Sequence, residues 1–179
     1  MRLVALVAYV ACMASFSWAM QRFFTKQSAA RSPGQQLVVY LGGAFALAQA
    51  GCLATPPMGS WLSMAFCLWA LSLILFWAAV AANRARPLTW AFEPNQPDHL
   101  VSTGPYRWIR HPFYLSYTLC WLGPPIATGK PWLLIPVFVM LLLYWRAASA
   151  EEANFLSSPL APAYREYQSR TGRFLPAPF

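Results

Sequence analysis

The run from Trp61 to Ala82 is 22 residues long and carries no charged side chain. A helix of that length, rising 1.5 Å per residue, reaches across a hydrocarbon core of about 30 Å. Four more apolar stretches accompany it: Leu3 to Met20, Leu37 to Leu53, Phe113 to Thr128 and Pro131 to Trp145. Only 10% of the 179 residues are charged, against about 25% in a soluble domain. Backbone amides in lipid must find their partners inside the chain, and helices meet that demand locally. The expectation is an all-α integral membrane protein with about five transmembrane helices. One domain is expected over residues 1–179, with three helices in 1–82 and the candidate functional half in 83–179. Gly123-Pro124-Pro125 removes helix donors from the fourth stretch, and only Gly129-Lys130-Pro131 separates it from the fifth. Those two are therefore expected to form a tight helical hairpin.

A net charge of +8 raises the question of nucleic acid, but the basic residues follow topology and do not gather in one patch. With five spans and the N-terminus outside, 11 of the 13 Lys and Arg residues fall on the inner side, leaving Arg2 and Lys130 outside. That asymmetry predicts an outside N-terminus and a cytoplasmic C-terminus. The first stretch shares features with a cleaved signal peptide, but its length and the Arg22 and Lys26 that follow it favour a retained helix. Cys12, Cys52, Cys67 and Cys120 all lie in apolar stretches and read as packing residues. The two histidines, His99 and His111, have no carboxylate or thiol at ligand spacing, so no metal is expected.

The polar segments are unequal. Asn83 to Pro112 is 30 residues long and holds four arginines and both histidines, and loops beyond about 12–15 residues are usually functional or disordered. Within it, Arg107, Arg110 and His111 stand at the mouth of an apolar span, where a charge facing lipid would cost a few kcal/mol. The C-terminal region after Arg146 continues span five, breaks at Pro159 and Pro162, and resumes as a short helix from about Ala163. Glu151-Glu152 lie near the end of span five. Tyr164, Tyr167, Arg170 and Arg173 recur every third residue, which predicts a stripe along one side of that helix. Loop and tail emerge on one face and are expected to close over a shared pocket.

No Ser-His-Asp pattern, Gly-rich phosphate loop or cysteine nucleophile is present. What remains is donors for an anion (Arg107 or Arg110, His111), acceptors for a cation (Glu151, Glu152) and aromatic faces (Tyr106, Trp108, Tyr114). That set suits a zwitterion bearing a flat ring, such as an amino-acid-like cofactor with a sulfonium and an adenine.

Gly104-Pro105-Tyr106, Arg110-His111-Pro112 with Tyr114, then Glu151-Glu152 and the Tyr164, Tyr167, Arg173 tail ending in Phe174-Leu175-Pro176 resemble the isoprenylcysteine carboxyl methyltransferase family. The likeness covers roughly residues 98–176 and extends to the related phospholipid methyltransferases. It implies S-adenosylmethionine as cofactor, held by His99, Leu100, Val101, Tyr106, His111, Pro112, Phe113, Tyr114 and Glu151. It implies that Arg173 and Arg146 face a lipid-linked or lipophilic methyl acceptor, with Glu152 positioning the arginine or acting as base toward an amine. The chain departs from the family pattern at Asp98, which holds the place of the family's histidine, and at Arg146, five residues before Glu151 where four is usual.

The expected activity is methyl transfer at the membrane, foremost to an isoprenylcysteine carboxylate. A phospholipid amine or a small thiol is the alternative acceptor. An NADPH-linked membrane reductase or a non-enzymatic scaffold are the readings from other classes.

Overall fold

The computed structural model describes residues 1–25, 32–56, 59–84, 88–89 and 97–177. Each of the five apolar stretches is a helix: α1 Arg2–Phe23, α2 Pro33–Ala54, α3 Leu62–Ala82, α4 Pro112–Thr128 and α5 Leu134–Leu156, followed by a short α6, Ala161–Arg170. Two two-residue strands, β1 Phe24–Thr25 and β2 Leu88–Thr89, pair in parallel beyond the ends of α1 and α3. Four helices are long and apolar enough to cross a membrane, the last counted from Pro131 to Leu156. α4 is shorter, at 17 residues, or about 26 Å. The basic loop residues Lys26, Arg31 and Arg86, and the terminal Phe179, lie outside the described residues.

The Ser32-Pro33-Gly34 segment, which reads as a loop break, instead begins α2. Ser32 is the N-cap: its Oγ accepts from Gln35 N, while the Gln35 side chain accepts from Ser32 N. Pro33 at the first helical position costs nothing, because its missing N–H would have no partner there.

Apolar side chains cover the helices on every side, as a lipid-facing bundle requires. Leu3, Leu47, Ile74 and Phe138 are more than half exposed on the outside. Inside, Tyr9, Phe16, Trp69 and Phe76 fill one cluster among α1, α3 and α4. Tyr114, Trp121, Met140 and Tyr144 fill a second between α4 and α5.

α4 runs without a break through Gly123-Pro124-Pro125. The two prolines leave the carbonyls of Cys120 and Trp121, one turn back, without their helical donors. Both carbonyls are satisfied from neighbouring helices: Trp69 Nε1 on α3 donates to Cys120 O at 3.3 Å, and Gln49 Nε2 on α2 donates to Trp121 O at 3.3 Å. Gly123 makes the first of these possible, since a Cβ there would occupy the Trp69 indole. Gln49 is wholly buried and also accepts from Tyr9 Oη at 2.9 Å. α4 touches α5 across the Gly129-Lys130 turn, yet packs most extensively on α3. The glycine and the borrowed hydrogen bonds draw it there.

Candidate functional site

The helices alternate in direction, so the ends of α1, α3 and α5 meet the starts of α2 and α4 at one end of the bundle. The loop before α4 and the chain after α5 converge there. Gly104 adopts φ +58°, a conformation that favours glycine, and a Cβ would press on Ala82 at 3.2 Å. It opens a 3-10 turn, Gly104–Arg107, that sets Tyr106 over the end of α3. There the Tyr106 hydroxyl accepts from Asn83 Nδ2 at 3.0 Å. Burial pushes the Tyr106 phenol well up, so it stays protonated at neutral pH.

The tail zips onto this loop. Ile109 pairs with Gly172 in a parallel bridge. Arg110 N donates to Gly172 O at 2.8 Å, and His111 N donates to Arg173 O at 3.1 Å. Tyr167 Oη donates to the Tyr106 carbonyl at 2.7 Å. The regular stripe expected of Tyr164, Tyr167, Arg170 and Arg173 is thereby broken, because α6 ends at Arg170. Tyr164 and Tyr167 are buried, Arg170 faces outward toward Glu166, and Arg173 turns back beneath the loop.

That turn brings Arg173 to Glu152, the centre of a buried cluster. Glu152 Oε1 accepts from Arg110 Nε at 2.9 Å, His111 Nε2 at 3.1 Å and Arg173 Nε at 3.2 Å. Its Oε2 accepts from Arg173 Nη2 at 2.6 Å and Gln168 Nε2 at 3.4 Å. Arg110 also donates to the carbonyls of Gln168 and Thr171. The Arg173 guanidinium lies 4.4 Å from the Trp145 ring centre and bonds Ser149 Oγ at 3.1 Å. Glu151, one residue before, takes the Tyr114 hydroxyl bond and lies 3.4 Å from His111 Nδ1. His111 therefore stands between two carboxylates. Burial opposes its charge, but the hydrogen bonds it donates to Glu151 and Glu152 prevail and raise its pKa above the ordinary histidine value.

Beside the cluster, a cavity of about 970 Å³ extends from this end into the bundle. Tyr106, Arg110, His111 and Glu151 form its polar end. Tyr114, Tyr117 and Tyr144 follow, and Met13, Val38 and Met140 lie among its apolar walls. Of the residues expected to hold a cofactor, Tyr106, His111, Pro112, Phe113, Tyr114 and Glu151 line it. His99, Leu100 and Val101 are placed in the approaching loop, outside its lining, with His99 paired to Asp98. Glu152 and Arg173 sit behind the polar end, tied to one another, and Arg146 is exposed on α5. Among the described residues no group of three His, Cys, Asp or Glu is placed to hold a metal ion.

Sequence reasoning had no signal for the walls that α1 and α2 contribute, because the family likeness begins near residue 98. Arg110 was visible as a donor, but its bonds to Glu152 and the tail were not.

The site is a charged pocket at the end of a five-helix apolar bundle, opening into an apolar interior. Comparison with known families matches residues 61–161 to phospholipid methyltransferase. The chain belongs to that family and is a membrane methyltransferase. No curated protein matches it.

Proposed function

We propose that the protein transfers a methyl group from S-adenosylmethionine to the polar head of a lipid-bearing acceptor. The observation that carries this reading is a cavity that joins a charged end to an apolar interior. Its volume of about 970 Å³ lies at the top of the range of about 300–1,000 Å³ usual for small-molecule sites, which leaves room for an acceptor beside a cofactor.

The donor set fits the cofactor's chemistry. Arg110 offers its remaining guanidinium N–H groups to a carboxylate, the charge of the paired His111 ring stands beside them, Glu151 offers a carboxylate to an ammonium, and the rings of Phe113, Tyr114 and Tyr117 offer faces to a cation. When bound, S-adenosylmethionine supplies a methyl group already activated by its sulfonium. The protein's part is to align the acceptor and exclude water, and such positioning is worth about 7–11 kcal/mol in well-oriented systems. His99, Leu100 and Val101 complete the cofactor site from the loop. The basic-residue count puts the polar end at the cytoplasmic face.

The leading acceptor is an isoprenylcysteine-like carboxylate, on the strength of the motif resemblance. A carboxylate needs no base, and the excess of cationic groups around Glu152 favours an anionic head. A second reading, a phospholipid amine, rests on a different observation: Glu151 is the carboxylate that lines the cavity. Glu152, with both oxygens engaged, has no lone pair to spare for an incoming proton, so Glu151 would receive the amine's proton.

Methyl-labelled S-adenosylmethionine, incubated with the purified protein and a membrane lipid extract, tests both. Label released as methanol by mild base marks an ester and a carboxylate acceptor. Base-stable label in the organic phase marks an amine. No label in any lipid, with the cofactor shown to bind, would overturn the lipid-acceptor reading.

A further inference from the structure

Gln35 stands in the first turn of α2, and only 7% of its surface is exposed. Its Oε1 accepts from Ser32 N at 3.0 Å, completing the helix cap. That bond orients the amide, because the oxygen must face Ser32 and the nitrogen must face away. Among the described residues no acceptor lies on Nε2, although Gln35 lines the cavity. Among the described residues both N–H groups of this buried amide are unused, which costs free energy, and a cap does not explain it, since glutamate caps equally well in the same Ser-x-x-Glu/Gln pattern.

The location narrows the partner. α2 begins at the end of the bundle where α4 also begins, so Gln35 belongs to the polar end of the cavity. Arg110, His111 and Glu151 reach that end from the loop, α4 and α5. Gln21, near the end of α1, also lines the cavity. The cofactor residues proposed above come from the loop, α4 and α5, leaving the α2 wall to the other reactant.

We infer that the Gln35 amide is an acceptor-binding group, donating its Nε2 hydrogens to an oxygen of the acceptor's polar head. The inference rests on the methyl-transfer reading and assigns the oxygen-bearing head to the α2 wall. A carboxylate and a phosphodiester both present such an oxygen, and the probes below separate them.

Gln35→Glu tests this without disturbing the cap. The new carboxylate still accepts from Ser32 N, and it favours the helix N-terminus, which keeps it ionised. It has no hydrogen to donate and repels an anionic oxygen. The probes are N-acetyl-S-farnesylcysteine and vesicles of phosphatidylethanolamine, each with labelled S-adenosylmethionine. For whichever probe the unaltered protein methylates, Gln35→Glu should raise the acceptor KM by roughly tenfold or more, with cofactor affinity and Tm unchanged. Ser32→Ala removes the reciprocal half of the cap and should lower Tm while leaving the acceptor KM alone.

An unchanged acceptor KM in Gln35→Glu, or a loss confined to cofactor affinity, would overturn the inference while the methyl-transfer reading stands. An unaltered protein that binds the cofactor but labels neither probe nor any lipid of a membrane extract would remove that reading and the inference with it.

Discussion

Replacing Glu152 by glutamine tests whether this residue is structural or chemical. The side chain keeps its volume, but one acceptor oxygen becomes an NH2 group facing cationic donors. Glu152 is 4% exposed and holds Arg110, His111 and Arg173 together, so solvent cannot take its place. Hydrogen bonds to a charged group contribute about 1.5–3 kcal/mol each. Losing two of them costs about 3–6 kcal/mol, close to the roughly 3–5 kcal/mol lost when one partner of a buried ion pair is removed. That is a large part of the 5–15 kcal/mol, roughly, that holds a typical domain folded. Denaturant or thermal unfolding of the detergent-solubilised protein should register the loss as a lowered midpoint, with the tail the first segment to become protease-sensitive. Glu151→Gln should behave oppositely. Its side chain is 37% exposed and the Tyr114 hydroxyl can still donate to the amide oxygen, so stability should change by about 1 kcal/mol or less, while cofactor affinity falls roughly tenfold. If Glu152→Gln unfolds like the unaltered protein yet fails to turn over, Glu152 is a chemical group and the division of labour argued here is wrong.

Two further outcomes follow from the same geometry. The raised pKa of His111 means that its ion pairs stabilise the fold fully below about pH 6.5, its unfolded value, and that this contribution is lost as pH rises through the elevated folded value. Tm should therefore fall as pH rises above about 6.5 in the unaltered protein and stay flatter in His111→Asn; parallel curves would exclude His111 as the titrating group. Trp69→Phe leaves the Cys120 carbonyl without its donor inside the bundle and should cost about 1–3 kcal/mol. Trp77→Phe loses only a bond to the half-buried Ser15 hydroxyl and should cost less, and equal losses would show that the proline-freed carbonyl needs no such partner.

The helices were legible because lipid imposes a length and a composition that five stretches of this chain satisfy. The polar end was legible because Arg110-His111-Pro112 and Glu151-Glu152 are dense in charge where charge is costly. The continuity of α4 was not. Pro124-Pro125 announces a break, and the two donors that repair it, Trp69 and Gln49, come from helices that are remote in sequence. Arg173 shows the same limit. Its three-residue spacing from Arg170 suggested one helical face, but the helix stops first and the bridge between Ile109 and Gly172 redirects it. Gly172 permits that path, since a Cβ there would collide with the Leu175 carbonyl. Gln35 illustrates a third kind of limit, for Ser32-Pro33-Gly34 read as a loop break, and neither the cap nor the amide's place at the cavity was visible before the helix was seen.

Glu151 and Glu152 are chemically identical neighbours, and their separation of roles comes from helix geometry alone. Successive residues on α5 point about 100° apart, so one turns toward the tail when the other turns toward the cavity. Glu152 meets two guanidiniums and an imidazole there, which fix its charge and use its lone pairs. Glu151 keeps solvent contact and a phenol, and remains available to a ligand. His111 reaches both, through Nε2 to Glu152 and Nδ1 to Glu151. His111, at the start of α4, thereby links Glu151 to Glu152 and, through Glu152, to Arg173 in the tail. The loop and the tail form one hydrogen-bonded unit beside the pocket, and the adjacent glutamates hold His111 within it from two sides.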